Sequence, residues 1–238
     1  MSSLVAASDL ARAAYCPRQL YYARRDGDRA PPPAVREVRA LAFEYPALLD
    51  ANDDELAARP ISVSPSAYRE NLVRLRERDD WDALTDPVAR DELLAGKDCR
   101  GVAHKLVRCP GGDDGEGEGE GDDDDDQPPI PSLVSPGEPP ERGVWEPQRV
   151  RAVALAKALA WEREASIPRA LVEYPAVGVV RTVRLTTGNK AAYRRTLRVA
   201  RDLDFVPSRL RDSAKCESCA YRERCGVKTW SLSSLLGR

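Results

Sequence analysis

WEPQRVRAVALAKALAWEREASIPRALVEYPAVGVVRTVRL, residues 145–185, decides the architecture. Its first half, Trp145 to Glu164, repeats apolar side chains at helical spacing: Val150, Val153, Ala154, Leu155, Ala158, Leu159 and Trp161. The second half changes period. Arg169 to Tyr174 and Val177 to Leu185 read as strands meeting at Pro175, with Val179, Arg181, Val183 and Leu185 on one face. A basic helical stretch follows from Thr187 to Leu203. Helix, strand pair and helix in succession predict an α/β fold with a mixed sheet flanked by helices.

Upstream, Ser8 to Tyr22 reads as a helix with Ser8 as N-cap, interrupted at Pro17. Val35 to Leu49 and Ser64 to Arg78 are further helical stretches. Within DCRGVAHKLVRC (98–109), VAHKLV has the partial alternation of a strand, and Ile130 to Val134 is its expected partner. The acidic Gly-rich insertion between them, 111–128, is too polar to pack and is predicted to be disordered. The expectation is a single domain over 1–238 with a cysteine segment at 1–30 and a cysteine cluster at 207–238.

Composition narrows the class. At 42% hydrophobic the chain supports a core, but with two Phe it must lean on Leu, Val, Ala, Trp and Tyr. No run approaches the ~20 apolar residues of a membrane span. Asp9 and Arg12 fall too early for a secretory apolar segment, so a cytoplasmic protein is expected, with no membrane partner. Asp113 to Asp126 holds ten acids and no base, so without it the net charge of −2 becomes +8. Most of that positive charge is Arg, whose planar fork matches phosphate.

Six cysteines in an intracellular chain stay reduced, and their placement points to metal. Cys216-x2-Cys219-x5-Cys225 sets three thiolates on a short turn, and Cys16 in YCPRQLYY, beside a proline turn, is the expected fourth. Cys99 and Cys109 bracket a strand and read as small buried hydrophobes. Spacing alone does not separate four-thiolate zinc from an iron–sulfur cluster.

DLARAAYCPRQLYY (9–22) resembles the entry motif of the CRISPR-associated RecB-like exonuclease family that carries a cysteine cluster, and CESCAYRERC (216–225) resembles its C-terminal triplet. VEYPAVGVVRTVRLT and the basic helix after it are similar to the family's final strand pair and helix. The resemblance implies a PD-(D/E)xK, restriction-endonuclease-like core closed by a [4Fe-4S] clamp on Cys16, Cys216, Cys219 and Cys225 that joins the two ends of the chain. It also implies DNA, single-stranded, as ligand, and partners in CRISPR adaptation or DNA repair.

The family's metal site needs carboxylates for Mg or Mn and a lysine beside the attacking water. RGVAH resembles the Gly-x-x-Asp strand, with His104 at the acid position. PSLVSPGEPP resembles the Pro-x-Glu-x-Lys-x-Gly-x-Pro-Pro stretch, with Leu133 for Glu and Ser135 for Lys. The Gln-x-x-x-Tyr helix motif keeps Gln148 but has Ala152 for Tyr. His104 is the single histidine, so the family's upstream His, expected near Val35 to Phe43, is missing.

These losses predict a nuclease-like DNA-binding protein with no catalytic residues. Arg18, Arg194, Arg195, Arg198, Arg201 and Arg222 are the expected phosphate contacts, and Tyr21, Tyr22 and Tyr221 either stack on bases or pack in the core. The alternative is an active Mn- or Mg-dependent exonuclease with a displaced site drawing on Asp98, Glu138, Glu146, Glu37 or Glu44. A protein-binding module is a third reading.

Overall fold

The central strands are apolar on both faces, which demands cover on both sides of the sheet. The computed structural model describes residues 4–27, 30–108, 128–210 and 213–226; Cys109, the acidic insertion through Gln127 and the residues after Gly226 lie outside them. Six strands form one mixed sheet: β1 (Val5–Ala6), β2 (Ala89–Ala95), β3 (Cys99–Val107), β4 (Ile130–Val134), β5 (Arg169–Tyr174) and β6 (Val179–Arg184). β2, β3 and β4 form an antiparallel meander, with Arg100 opposite Ala95 and Lys105 opposite Ser132. β5 runs parallel to β4, Leu133 opposite Val172, and β6 returns antiparallel with Arg181 opposite Val172. A parallel step needs a long crossover, and helix α8 (Glu146–Glu162) supplies it.

β3 is shared unequally. β2 pairs along one edge, while the other edge takes β1 at Cys99–Arg100 and β4 at Lys105–Val107. His104 therefore falls in the gap where β1 has ended and β4 has just left.

The helices in chain order are α1 (Ala7–Tyr15), α2 (Pro17–Asp26), α3 (Pro33–Ala40), α4 (Tyr45–Asp50), α5 (Asp53–Ala57), α6 (Pro65–Arg76), α7 (Trp81–Thr85), α8, α9 (Thr187–Arg201), α10 (Ser213–Glu217) and α11 (Arg222–Cys225). α8 packs against α1, α9 and the sheet. Val150, Ala152 to Ala156, Ala158 and Leu159 are all buried, so apolar contacts surround it rather than following one stripe. Two glycines permit that approach. A Cβ at Gly96 would lie 2.7 Å from Ala158 Cα, and one at Gly101 would lie 2.6 Å from Ala7 Cβ.

The helix expected over Ser8 to Tyr22 is two helices. Cys16 stands between them in extended conformation (φ −162°, ψ 119°) and Pro17 opens the second, where its missing N–H costs nothing. Ala6 rather than Ser8 holds the N-cap position of α1. The stretch from Val35 to Leu49 is likewise broken, by a 3-10 turn at Leu41–Phe43 between α3 and α4. Trp161, placed on the apolar face of α8 by periodicity, is 58% exposed near the helix end. In β6 the buried residues are Val180 and Val183, because both faces are partly covered. Among the described residues no helix is long and apolar enough to cross a membrane.

Candidate functional site

The three stretches that resemble nuclease motifs meet at the gap beside β3. His104 is buried, and its Nδ1 accepts the backbone N–H of Val134 at 2.9 Å. Continuing the β3–β4 register by one residue sets His104 opposite Leu133, itself buried. Ser135 donates its backbone N–H to Glu173 O at 2.8 Å, which fixes the first residue past β4. The Ser135 Oγ accepts from Gln148 Nε2 of α8 at 3.3 Å, and Ala152 is fully buried one turn further on.

The electrostatics at this point are cationic. Burial pushes the His104 pKa down to about 3, and the guanidinium groups of Arg151 and Arg39 push the same way. The imidazole is neutral at pH 7; with Nδ1 accepting, its proton is on Nε2. Burial, then Arg39 and Arg12, lowers Arg151 to about 10. Arg39 belongs to α3, the stretch where the family's upstream His was expected. The Nε atoms of both Arg39 and Arg151 are buried without a hydrogen-bond partner among the described residues.

A hard divalent cation binds oxygen, and these positions offer an apolar side chain, an engaged imidazole and a hydroxyl. They do not fit Mg or Mn. The acids weighed as substitutes are elsewhere: Asp98 binds Arg201 at 2.9 Å, Glu44 is paired with Arg59, and Glu37, Glu138 and Glu146 are exposed.

Sequence reasoning missed a buried charged network on the same strands. The Lys105 ammonium donates to Ala42 O (2.5 Å), Leu84 O (2.8 Å) and Glu173 Oε2 (2.9 Å), using all three of its protons. Ser132 Oγ donates to Glu173 Oε1 at 2.6 Å. Burial lowers the Lys105 pKa and the Glu173 charge opposes it. The available signal was a single charge within each of two apolar strand runs, VAHKLV and ALVEY.

The cysteines are brought together at a second place. Cys16 and the turns at α10 and α11 face each other: Tyr15 OH donates to Lys215 O at 2.6 Å, and Arg224 Nη1 reaches Asp26 Oδ1 at 2.6 Å. Tyr22 and Tyr221 rings lie 5.6 Å apart. Cys16, Cys216, Cys219 and Cys225 line one cavity of about 20 Å³, walled also by Arg18, Arg209, Lys215 and Arg222. All four thiols are half-buried. Among the described residues, no three His, Cys, Asp or Glu side chains stand close enough to form a ready ligand set for an ion. The donor type and cationic surroundings suit a thiolate-bound group, since positive side chains offset the charge of four thiolates. Cys99 is apart and inert: buried, it accepts from Tyr193 OH at 3.4 Å, and burial raises its thiol pKa.

The six arginines named as phosphate contacts divide into two groups. Arg194, Arg195 and Arg198 are exposed on α9, and Arg201 at its end pairs with Asp98. Arg18 and Arg222 instead wall the cysteine cavity. Arg18 is committed there, donating from Nε to Tyr22 OH at 3.3 Å and from Nη1 to Pro207 O at 3.4 Å. Tyr21 and Tyr22 are buried, so they pack rather than stack on bases.

No protein-family model matches the chain, and no curated protein matches its sequence. The fold defines the class: a mixed α/β protein with a six-stranded mixed sheet flanked by helices.

Proposed function

We propose that the protein binds single-stranded DNA on a PD-(D/E)xK-like core whose metal centre has been replaced. A [4Fe-4S] cluster on Cys16, Cys216, Cys219 and Cys225 clamps the fold, and the protein serves CRISPR adaptation or DNA repair as a binding subunit. The observation that carries this reading is the meeting of His104, Leu133, Ser135 and Gln148 at one point with arginines in place of carboxylates. The resemblance requires its Asp strand and its Glu-x-Lys strand to be neighbours and its Gln helix to follow them. β3, β4 and α8 stand in that relation. Phosphate binding survives the loss of metal ligands, because it needs guanidinium groups rather than a divalent ion. Exposed Arg194, Arg195 and Arg198 supply a sequence-independent contribution of this kind.

The test uses anaerobically purified protein, with salt-dependent anisotropy on a single-stranded oligonucleotide and a Mn²⁺-supplemented cleavage assay on the same sample. The expected result is binding that weakens with salt and no cleavage. Cleavage abolished by Asp98→Asn would establish the active-exonuclease alternative, and an absence of DNA binding would favour a protein-binding module.

A further inference from the structure

A polar cavity of about 710 Å³ opens where β1, α1, α2, the start of β3 and the end of α9 converge. Arg12, Arg24, Arg100 and Arg201 line it, with Asp9 the one acid in its wall among the described residues. The four arginines come from four different elements, α1, α2, β3 and α9, so their convergence is a product of the fold and not of one charged run.

Three of the four guanidinium groups are held in place. Arg12 Nη1 and Arg24 Nε share Asp9 at 3.1 and 2.9 Å, and Arg24 Nη1 also donates to Ala200 O at 2.7 Å. Arg201 Nη2 reaches Asp98 at 2.9 Å. Arg100 is exposed, and its guanidinium has no ion pair or hydrogen bond among the described residues. Among the described residues, four guanidinium groups thus meet at the recess beside Asp9 and Asp98, and three of them are already oriented. Oriented guanidinium forks in a polar recess match the tetrahedral oxygens of phosphate. The volume falls within the range of small-ligand sites and accommodates more than an isolated ion.

We propose that this cavity binds the phosphate of a nucleotide, within a single strand or free, with Arg100 and Arg201 making the contacts and Asp9 holding Arg12 and Arg24 in position. The proposal rests on the nucleic-acid reading above, and it adds a recess to the exposed face of α9.

The experiment measures anisotropy of a labelled single-stranded oligonucleotide over a salt series, with dAMP and inorganic phosphate as competitors. The proteins are the parent, Arg100→Ala, Arg100→Glu, Arg100→Lys and Arg194→Ala. Arg100→Ala is expected to weaken binding about tenfold and to reduce the slope of log K against log salt by about 1, with Arg100→Glu worse and Arg100→Lys intermediate. Displacement by micromolar dAMP would assign the cavity to free nucleotides, and resistance to dAMP would assign it to the strand. Unchanged affinity and slope in Arg100→Glu, with Arg194→Ala impaired, would overturn the cavity while leaving DNA binding intact. Parent protein that binds dAMP but no oligonucleotide would sustain the cavity, if Arg100→Glu abolishes it, and defeat the nucleic-acid reading. Binding of neither defeats both.

Discussion

Lys105 Nζ lies 2.9 Å from Glu173 Oε2, and neither side chain is exposed to solvent at all. The pair crosses from β3 to β5 over Ser132 of β4, so it ties those three adjacent strands together. Breaking such a pair leaves an uncompensated charge in the interior. Lys105→Met or Glu173→Leu is expected to cost about 3 to 5 kcal/mol in urea unfolding at pH 7. The double variant should recover much of that loss, because it removes both charges.

His104 makes the fold acid-labile. Its folded pKa of about 3 lies below the 6.5 of the free side chain, so the unfolded chain takes up a proton first as pH falls. Stability from this group is complete above about pH 6.5 and declines as the pH drops toward 3. Between pH 7 and pH 5 the loss should be about 2 kcal/mol. His104→Leu should remove this component, leaving a shallower dependence of urea midpoint on pH.

Iron and sulfide content tests the clamp directly. Serine at Cys16, Cys216, Cys219 or Cys225 should each abolish both, while Cys99→Ser keeps them. In metal-free protein a thiol reagent should modify the four half-buried cysteines and spare Cys99, whose sulfur is buried against Tyr193 and Ala154. Zinc without iron or sulfide in anaerobic protein would replace the cluster with a structural zinc.

Gly101→Val should destabilise by about 1 to 3 kcal/mol, measured by thermal or urea unfolding. Its first added carbon would stand 2.6 Å from Ala7 Cβ and 3.2 Å from Leu155 Cδ2, forcing β3 away from α1 and α8. Gly137→Ala, with nothing within 4 Å of the added carbon, is the matched control and should leave the midpoint unchanged.

The elements legible in the sequence were those whose packing writes a period. α8, β3, β4, β5 and α9 all fall where apolar spacing and turn residues placed them. β2 escaped because ARDELLA is mostly exposed and carries three consecutive charges, with Leu94 its one buried side chain and Asp91 at positive φ. α5 went unread as well: it opens on an Asn52–Glu55 capping box but is too short to show periodicity. At the sites, residue type and spacing singled out Cys16, Cys216, Cys219 and Cys225; they line one cavity, but among the described residues they form no ready ligand set for an ion. The cationic surroundings of His104 were not legible, because Arg39 and Arg151 are far apart in sequence and meet through tertiary packing alone. The same holds for the four arginines of the polar cavity.

Tyr15 and Lys215 touch across 200 residues of chain. During synthesis, Cys16 emerges from the ribosome long before the residues that complete its cavity. The sheet, whose described strands end at Arg184, can pair and pack in the interval. Joining the two cysteine-bearing segments therefore waits until the second has been made, by which point the strands from β1 to β6 already exist.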